Sequence, residues 1–307
     1  MKWTRTWVAT VIFLLIVAQF IVRWLLVGIS TFVDEGLCGP VQDAEYRVVV
    51  SGRIDEMHPS PRCCAGTDCL LTSSGRYAAL TTLRSEEYLP LLRILHCSLK
   101  KSNPKLPLIV AIVDGDLTPA TVAAVKQLGV TLVYWKDLQF YNAKSPRFGL
   151  NWVKIRAWEM SDYDAILMID ADSVVVADVM HLFNLPTAFA AALDQDKTLL
   201  RHNSLGTMQG GVVLLRPCAA IAHHMVSLLA SNSVLQFPEG HAEQSFFDWY
   251  FRYERWSLPI EYNAMGHLLQ NDSNTRAGLK PIIVHYTRHK PFKVDVRLHR
   301  EHAYAVC

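Results

Sequence analysis

The sequence predicts a Rossmann-like α/β fold in which a mostly parallel sheet is flanked by helices. From residue 77 onward, short apolar runs alternate with segments whose apolar residues have helical spacing. The chain has 307 residues, of which 51% are hydrophobic, so it can bury a large core. One apolar run also ends in a pair of aspartates, at the strand end where α/β sheets hold their ligands.

The predicted elements follow one another as βα units. We expect strands over residues 77–83, 107–113, 130–135 and 165–169, and helices over residues 85–101, 119–128 and 151–160. Parallel strands joined by helices bring their carboxyl ends to one edge of the sheet. A ligand site is therefore expected at that edge.

The charge balance argues against nucleic acid as a partner. Thirty Lys and Arg residues face 28 Asp and Glu residues, which leaves a formal net charge of +2. A protein that neutralises many phosphates needs a much stronger basic field. We expect no nucleic-acid partner.

The first segment, residues 1–33, predicts a short cytoplasmic tail and a transmembrane signal anchor. Arg23 is the only charge in an apolar stretch that reaches the roughly 20 residues of a spanning helix. Basic residues precede the stretch and acidic residues follow it, which places the N-terminus in the cytosol. We expect a single-pass type II membrane protein of the Golgi or ER, with the larger part of the chain in the lumen. A cleaved signal peptide is the alternative.

Residues 34–74 have the composition of a lumenal stem, and residues 75–307 form the predicted globular domain. The chain has seven cysteines, which suits an oxidising compartment. Four of them lie in the stem: Cys38, Cys63, Cys64 and Cys69. Cys97 and Cys218 are expected to be buried apolar positions.

Asp-x-Asp is a minimal motif for a hard divalent cation, because two carboxylates can share one ion. The chain contains four such pairs, so context has to choose among them. Only the pair Asp170 and Asp172 directly closes a strongly apolar strand. Asp114 and Asp116 instead fit a turn that opens a helix.

His285 is the predicted third metal ligand. It follows the apolar run 281–284 and precedes a basic stretch that includes Lys290. An imidazole on the ion and cations on phosphate oxygens would suit a metal-bound diphosphate.

With these motifs assembled, residues 162–183 resemble the core of the glycogenin-like members of glycosyltransferase family 8. The resemblance covers residues 77–292 and is closest to the membrane-anchored glucosyl- or glucuronosyltransferase type. Further motifs occur in the family's order: Leu80-Thr81-Thr82, Lys154, Asp194, Gln209-Gly210-Gly211, Glu243-Gln244, Tyr262-Asn263 and His285 through Lys290.

The resemblance implies a GT-A fold and a retaining, UDP-sugar-dependent transferase that uses a divalent ion, usually Mn²⁺. It implies three metal ligands: Asp170, Asp172 and His285. The donor and nucleotide site would comprise Leu80, Thr81, Thr82, Tyr88, Lys154, Ala171, Gln209, Gly210, Arg288 and Lys290. The catalytic group around the sugar and acceptor would comprise Asp194, Glu243, Gln244 and Lys154.

The chain departs from the family's pattern in the sugar pocket. Gln209-Gly210-Gly211 stands where the family usually has Asn-Ser-Gly, and Glu243 replaces an aspartate. No tyrosine lies between residues 262 and 286, so self-glucosylation there is not expected. The acceptor is therefore expected to be a separate glycan, protein or lipid. A homodimer is compatible with all of these expectations.

Two other functions stay open at this point. A membrane-anchored module that binds a nucleotide sugar without catalysis would share the same motifs. A phosphatase of the haloacid-dehalogenase type also has Asp-x-Asp after an apolar strand, although its motif normally closes the first strand of the domain.

Overall fold

The computed structural model describes residues 49–50, 53–54, 75–140, 146–194, 207–231, 242–269, 279–287 and 290. The predicted membrane anchor and most of the predicted stem lie outside these residues. Within the described ranges, no helix is both long and apolar enough to cross a membrane. Strands β1 (Val49–Val50) and β2 (Arg53–Ile54) form an antiparallel pair.

The main sheet has seven strands, in the order β10-β8-β9-β6-β3-β4-β5. Their bounds are Tyr77–Leu83 (β3), Leu108–Val113 (β4), Thr131–Trp135 (β5), Ala165–Ile169 (β6), Phe189–Leu193 (β8), Met208–Leu215 (β9) and Trp256–Leu258 (β10). The first four confirm the predicted strands. β6 is the fourth of them along the chain, not the first strand of a phosphatase-type domain.

Most strand pairs of the main sheet are parallel, as predicted. β9 is the exception, because it runs antiparallel to both β6 and β8. β4, β6 and β9 are buried along their whole length, which explains the continuous apolar sequences of β4 and β6. The β9 pairing holds Asp170 at the end of β6, where its backbone N–H donates to Gly211 O at 2.8 Å.

The helices cover this sheet. They are α1 (Leu89–Ser102), α2 (Pro119–Lys126), α3 (Pro146–Gly149), α4 (Ala219–Ser231), α5 (Ala242–Tyr250) and α6 (Gly266–Leu269). In the described ranges they are joined by the 3₁₀ helices Glu86–Tyr88, Leu150–Glu159, Met180–Asn184 and Ile260–Asn263. The predicted helix at 151–160 is thus a 3₁₀ helix rather than an α-helix.

Helix α2 begins at residue 119, as predicted, after the turn that contains Asp114 and Asp116. Thr118 is its N-cap and accepts from the backbone N–H of Thr121 at 3.3 Å, and Pro119 stands at the first helical position. Asp116 instead forms an ion pair with Arg84. The Asp114–Asp116 turn therefore does not cap the helix.

A smaller sheet of three strands, in the order β11-β12-β7, completes the site region. Its strands are β7 (Ser173–Val175), β11 (Ala264–Met265) and β12 (Ile283–His285). β12 runs antiparallel to β7, and this register places His285 opposite Ser173. A histidine far along the chain is thereby brought next to the Asp170–Asp172 motif.

The core contains a cluster of aromatic rings. Trp158 stacks on Phe251 with 5.6 Å between ring centroids, and Trp152 packs edge-on against Phe246 at 5.9 Å. The cysteine prediction is wrong in part. Cys218 is buried as expected, but Cys97 is only half-buried, and both are disulfide-bonded.

Candidate active site

The predicted metal ligands come together at the carboxyl end of β6. Asp170, Asp172 and His285 each place one ligand atom within 4.8 Å of the other two. His285 Nε2 lies 3.3 Å from Asp172 Oδ1 and 3.7 Å from Asp170 Oδ2. Two carboxylate oxygens and an imidazole nitrogen are a donor set that suits Mn²⁺ and related divalent ions.

Lys290 forms an ion pair with Asp172, the second aspartate of the Asp-x-Asp motif. Its ammonium donates to Asp172 Oδ2 and, at 2.6 Å, to the carbonyl of Tyr286. Burial alone would raise the pKa of the Asp172 carboxyl, but His285 and the Lys290 ammonium together hold that pKa below its ordinary value. The carboxylate is therefore ionised and ready to act as a ligand.

Lys154 has the same relationship to the first aspartate. Its Nζ lies 2.7 Å from Asp170 Oδ1 and 3.0 Å from Glu243 Oε1, and the side chain is 3% exposed. Burial lowers the pKa of this ammonium, but the two carboxylates outweigh burial and raise the pKa above its ordinary value. Lys154 is consequently a permanent cation.

Glu243 is the buried acid of the site. One carboxylate oxygen accepts from Lys154, while Oε2 is buried and has no hydrogen-bond partner within the residues that the structure describes. Burial raises the pKa of this carboxyl despite the nearby Lys154 ammonium. A buried oxygen of this kind is costly to leave unpaired, so it is a candidate acceptor for a ligand hydroxyl.

A second polar chain starts beside Lys154. The backbone N–H of Gly210 donates to Gln244 Oε1 at 3.0 Å, and Gln244 Nε2 donates to Asp194 Oδ2 at 3.1 Å. Lys154 Nζ also donates to the carbonyl of Gly210 at 3.4 Å. The structure therefore joins the predicted catalytic residues to the metal cluster in one continuous network.

On the other side of His285 lies a group of amides. His285 Nδ1 is 3.0 Å from Asn263 Oδ1, and Asn263 Nδ2 donates to Gln209 Oε1 at 2.6 Å. The Gln209 oxygen also accepts from the backbone N–H of Gly211 at 2.5 Å. A Cβ on Gly211 would lie only 2.1 Å from the imidazole Cε1, so the ring needs a glycine there.

The predicted nucleotide residues lie on β3 and the turn after it. The Leu80 side chain is fully buried in the hydrophobic core. The Thr81 hydroxyl is buried and lacks a hydrogen-bond partner in the described ranges, whereas Thr82 is half-buried. Tyr88 is half-buried, with its ring centroid 5.7 Å from Lys290 Nζ.

Ala171 and Arg288 are two further residues of the predicted donor site. Ala171 is buried between the two aspartates, and Arg288 lies outside the described residues.

Sequence reasoning assigned no site role to Asn263, although its Tyr-Asn motif was noted. It also missed Arg84, which pairs with Asp116 and, at 2.8 Å, with Asp137. That guanidinium ties together the segments after β3, β4 and β5.

Two curated plant proteins are among the relatives of this chain. It is 20% identical over 215 residues to UDP-glucuronate:xylan alpha-glucuronosyltransferase 1 of Arabidopsis thaliana, which is 64% of this chain and 29% of the relative. It is 26% identical over 152 residues to galactinol synthase 1 of Solanum lycopersicum, which is 45% of this chain and 46% of the relative. The chain thus spans less than half the length of either relative.

The fold also matches a solved structure. The galactosyltransferase LgtC, crystallised with donor and acceptor sugar analogs, aligns with a TM-score of 0.56 and 15% identity. The alignment covers 75% of this chain and 94% of LgtC. At this identity the likeness concerns the fold alone, and it confirms the predicted GT-A-like architecture.

A family-level match covers most of the chain. Residues 80–293 match the sequence profile described as Glycosyl transferase family 8, a range that contains every predicted metal, donor-site and catalytic residue. The chain belongs to glycosyl transferase family 8.

Proposed function

We propose that this chain is a retaining, divalent-metal-dependent glycosyltransferase that moves a sugar from a UDP-sugar to a glycan, protein or lipid acceptor. The observation that carries the proposal is the joining of Asp170, Asp172 and His285 with two lysines in one network. Family membership supports a nucleotide-sugar donor, and the name of one relative includes UDP-glucuronate.

The residues present fit a divalent cation. Two ionisable carboxylates and an imidazole converge, and each carboxylate has its own lysine. When bound, a divalent cation supplies charge stabilisation for the diphosphate leaving group. Three carboxylates (Asp170, Asp172 and Glu243) against two ammonium groups leave one negative charge when all five are ionised.

The lysines supply fixed positive charge on either side of that site. Lys290 lies between Asp172 and the Tyr88 ring, on the side of the predicted nucleotide pocket. We assign it to the diphosphate, where a preorganised ammonium stabilises charge that develops on the leaving group. Lys154 lies beside Asp170 and Glu243. We assign it to hold Asp170 and Glu243 in their orientations.

The sugar would occupy the space next to Glu243, Gln244 and Asp194. Glu243 Oε2 is a buried acceptor oxygen that has no hydrogen-bond partner within the described part of the chain. Gln244 is held between Gly210 and Asp194, so its amide is oriented before any ligand binds. Orientation of this kind aligns the anomeric carbon with the acceptor hydroxyl, whether transfer occurs at the front face or through a covalent intermediate.

We also propose that the domain works in the lumen of the Golgi or ER behind an N-terminal anchor. The apolar stretch of residues 1–33 supports the anchor. The disulfide bonds at Cys97 and Cys218 support an oxidising compartment, since such bonds persist there.

The experiment is release of UDP by the purified 307-residue chain across a panel of UDP-sugars, with and without Mn²⁺. One or more sugars should give turnover that requires the metal, and Asp172→Asn should abolish it. The matched control is Asp162→Asn, which removes an exposed carboxylate from another Asp-x-Asp pair. The control variant should retain wild-type turnover.

Two results would count against the proposal. UDP-sugar binding without turnover, also in the presence of candidate acceptors, would favour a non-catalytic binding module. Neither binding nor release with any UDP-sugar would exclude the nucleotide-sugar function. The anomeric configuration of a product, read by NMR, tests the retaining stereochemistry separately.

A further inference from the structure

The amides beside His285 have a defined polarity that can be followed atom by atom. A backbone N–H can only donate, so the Gln209 side-chain atom that faces Gly211 N has to be the carbonyl oxygen. Asn263 meets that same oxygen, so it does so with its NH₂ group. Its other terminal atom, which faces His285 Nδ1, is therefore the carbonyl oxygen.

This polarity decides the protonation of the imidazole. An oxygen acceptor at 3.0 Å requires that Nδ1 carry the proton. In the neutral ring, Nε2 then holds a lone pair, and Nε2 is the atom that faces Asp172 and Asp170. In a metal-binding histidine, the hydrogen-bond partner of the nitrogen that does not bind the metal commonly fixes the tautomer and orientation of the ring.

We propose that Gln209 and Asn263 form a positioning relay that holds His285 as the Nδ1-protonated tautomer, with Nε2 directed at the metal. The inference rests on the proposed function and deepens it. It gives Gln209 a role different from the one that family resemblance implies, because its carbonyl oxygen is used within the relay rather than on a sugar. Asn263 becomes a positioning residue that acts through His285.

Burial strengthens the relay. Asn263 is fully buried, and Gln209 and His285 are 8% and 3% exposed. Water is therefore a poor substitute for any of these bonds, and loss of one acceptor would leave a buried donor unsatisfied. Gly211 completes the arrangement, because its missing side chain leaves room for the imidazole.

The first test measures Mn²⁺ affinity by calorimetry on the 307-residue chain with UDP present and no sugar. Gln209→Met keeps the length of the side chain but removes the acceptor oxygen, and it should weaken Mn²⁺ binding by about 10- to 100-fold. Gln209→Glu, made separately, keeps an oxygen that can accept from Gly211 and Asn263. This variant should retain most of the wild-type affinity for Mn²⁺. Thermal unfolding of each variant shows whether the fold is intact.

A sugar-contact role for Gln209 predicts a different pattern. Without sugar, both variants would then bind Mn²⁺ as the wild type does, and this result would overturn the relay. Equal weakening in both variants would overturn it too, since the glutamate preserves the acceptor.

The second test reads the tautomer directly and requires no variant to fold. In a long-range ¹H–¹⁵N spectrum of the ¹⁵N-histidine-labelled wild type, the His285 signals should show a protonated Nδ1. Their assignment comes from their absence in His285→Gln. A neutral ring with its proton on Nε2 would overturn the relay. Failure of the wild type to bind Mn²⁺ with UDP would instead count against the proposed function, and the spectrum would still decide the tautomer.

Discussion

The buried Lys154 ammonium forms an ion pair with the half-buried Asp170 carboxylate, with Nζ 2.7 Å from Oδ1, and the other oxygen of the same aspartate faces His285. Asp170 thus has one oxygen for a lysine and one for the metal site. The pairing orients a ligand that would otherwise rotate, since a second partner fixes the plane of a carboxylate. The predicted catalytic and metal-binding groups are therefore coupled through a single side chain.

The first prediction concerns this buried charge cluster. Lys154→Met should lower the free energy of unfolding by about 3–5 kcal/mol, because it leaves the buried Glu243 carboxylate and the half-buried Asp170 carboxylate without their cation. Adding Glu243→Gln should recover part of that loss, because it removes one of the two carboxylates. Urea unfolding of the two single variants and the double variant measures the coupling. Strictly additive losses would show that the pair does not interact.

The second prediction compares two adjacent glycines. Gly211→Ala would place a methyl group 2.1 Å from the His285 ring, so the ring has to move and Mn²⁺ affinity should fall by about tenfold or more. Gly210→Ala is the matched control, because its methyl group would meet Gln244 at an ordinary 3.4 Å. Calorimetric titration with Mn²⁺ and UDP checks both. Equal affinities in the two variants would contradict this account of the site.

The third prediction contrasts a buried and an exposed ion pair. Asp248 contacts Arg255 and accepts from the backbone N–H of Met208 at 2.9 Å, and both charged side chains are under 10% exposed. Asp248→Ala should destabilise the fold by about 3–5 kcal/mol. Glu159→Ala breaks the exposed pair with Arg156 and should cost less than about 1 kcal/mol. Denaturant unfolding curves compare the two, and a small effect at Asp248 would refute the argument from burial.

The fourth prediction concerns pH. Burial lowers the pKa of the His96 imidazole, and Lys100 one helical turn away lowers it further. The unfolded chain then binds this proton more readily than the folded chain, so the stabilising contribution exists above about pH 6.5 and is lost below it, as the pH falls through the lower pKa of the folded state. His96→Gln should reduce the loss of stability between about pH 7.5 and about pH 5.5. An identical pH dependence in wild type and variant would rule out this contribution.

Much of the fold follows from local pattern. Apolar runs bounded by polar turns predict β3 to β6. The inner strands β4 and β6 are buried on both faces of the sheet, whereas β5 is an edge strand with only Trp135 buried. The helix between β3 and β4 follows from the spacing of its leucines. Local pattern was less informative for residues 150–159, where the backbone adopts the tighter 3₁₀ form. The spacing of apolar residues does not separate the two helix types over so short a segment.

The site likewise has features that local sequence pattern predicts and features that it does not. The sequence by itself determined the position of Asp170 and Asp172, because a charged pair directly after a buried strand has to emerge at the sheet's carboxyl edge. It also determined the family, through an ordered series of motifs.

Only the tertiary structure decided which partner each of these residues has. The antiparallel register of β7 and β12 brings His285 to the aspartates, and the 3₁₀ helix Ile260–Asn263 places Asn263 behind it. Lys154 meets Asp170 and Glu243 only after three distant segments have packed together. Contacts between residues far apart in the chain depend on strand register and packing, which local propensity does not encode.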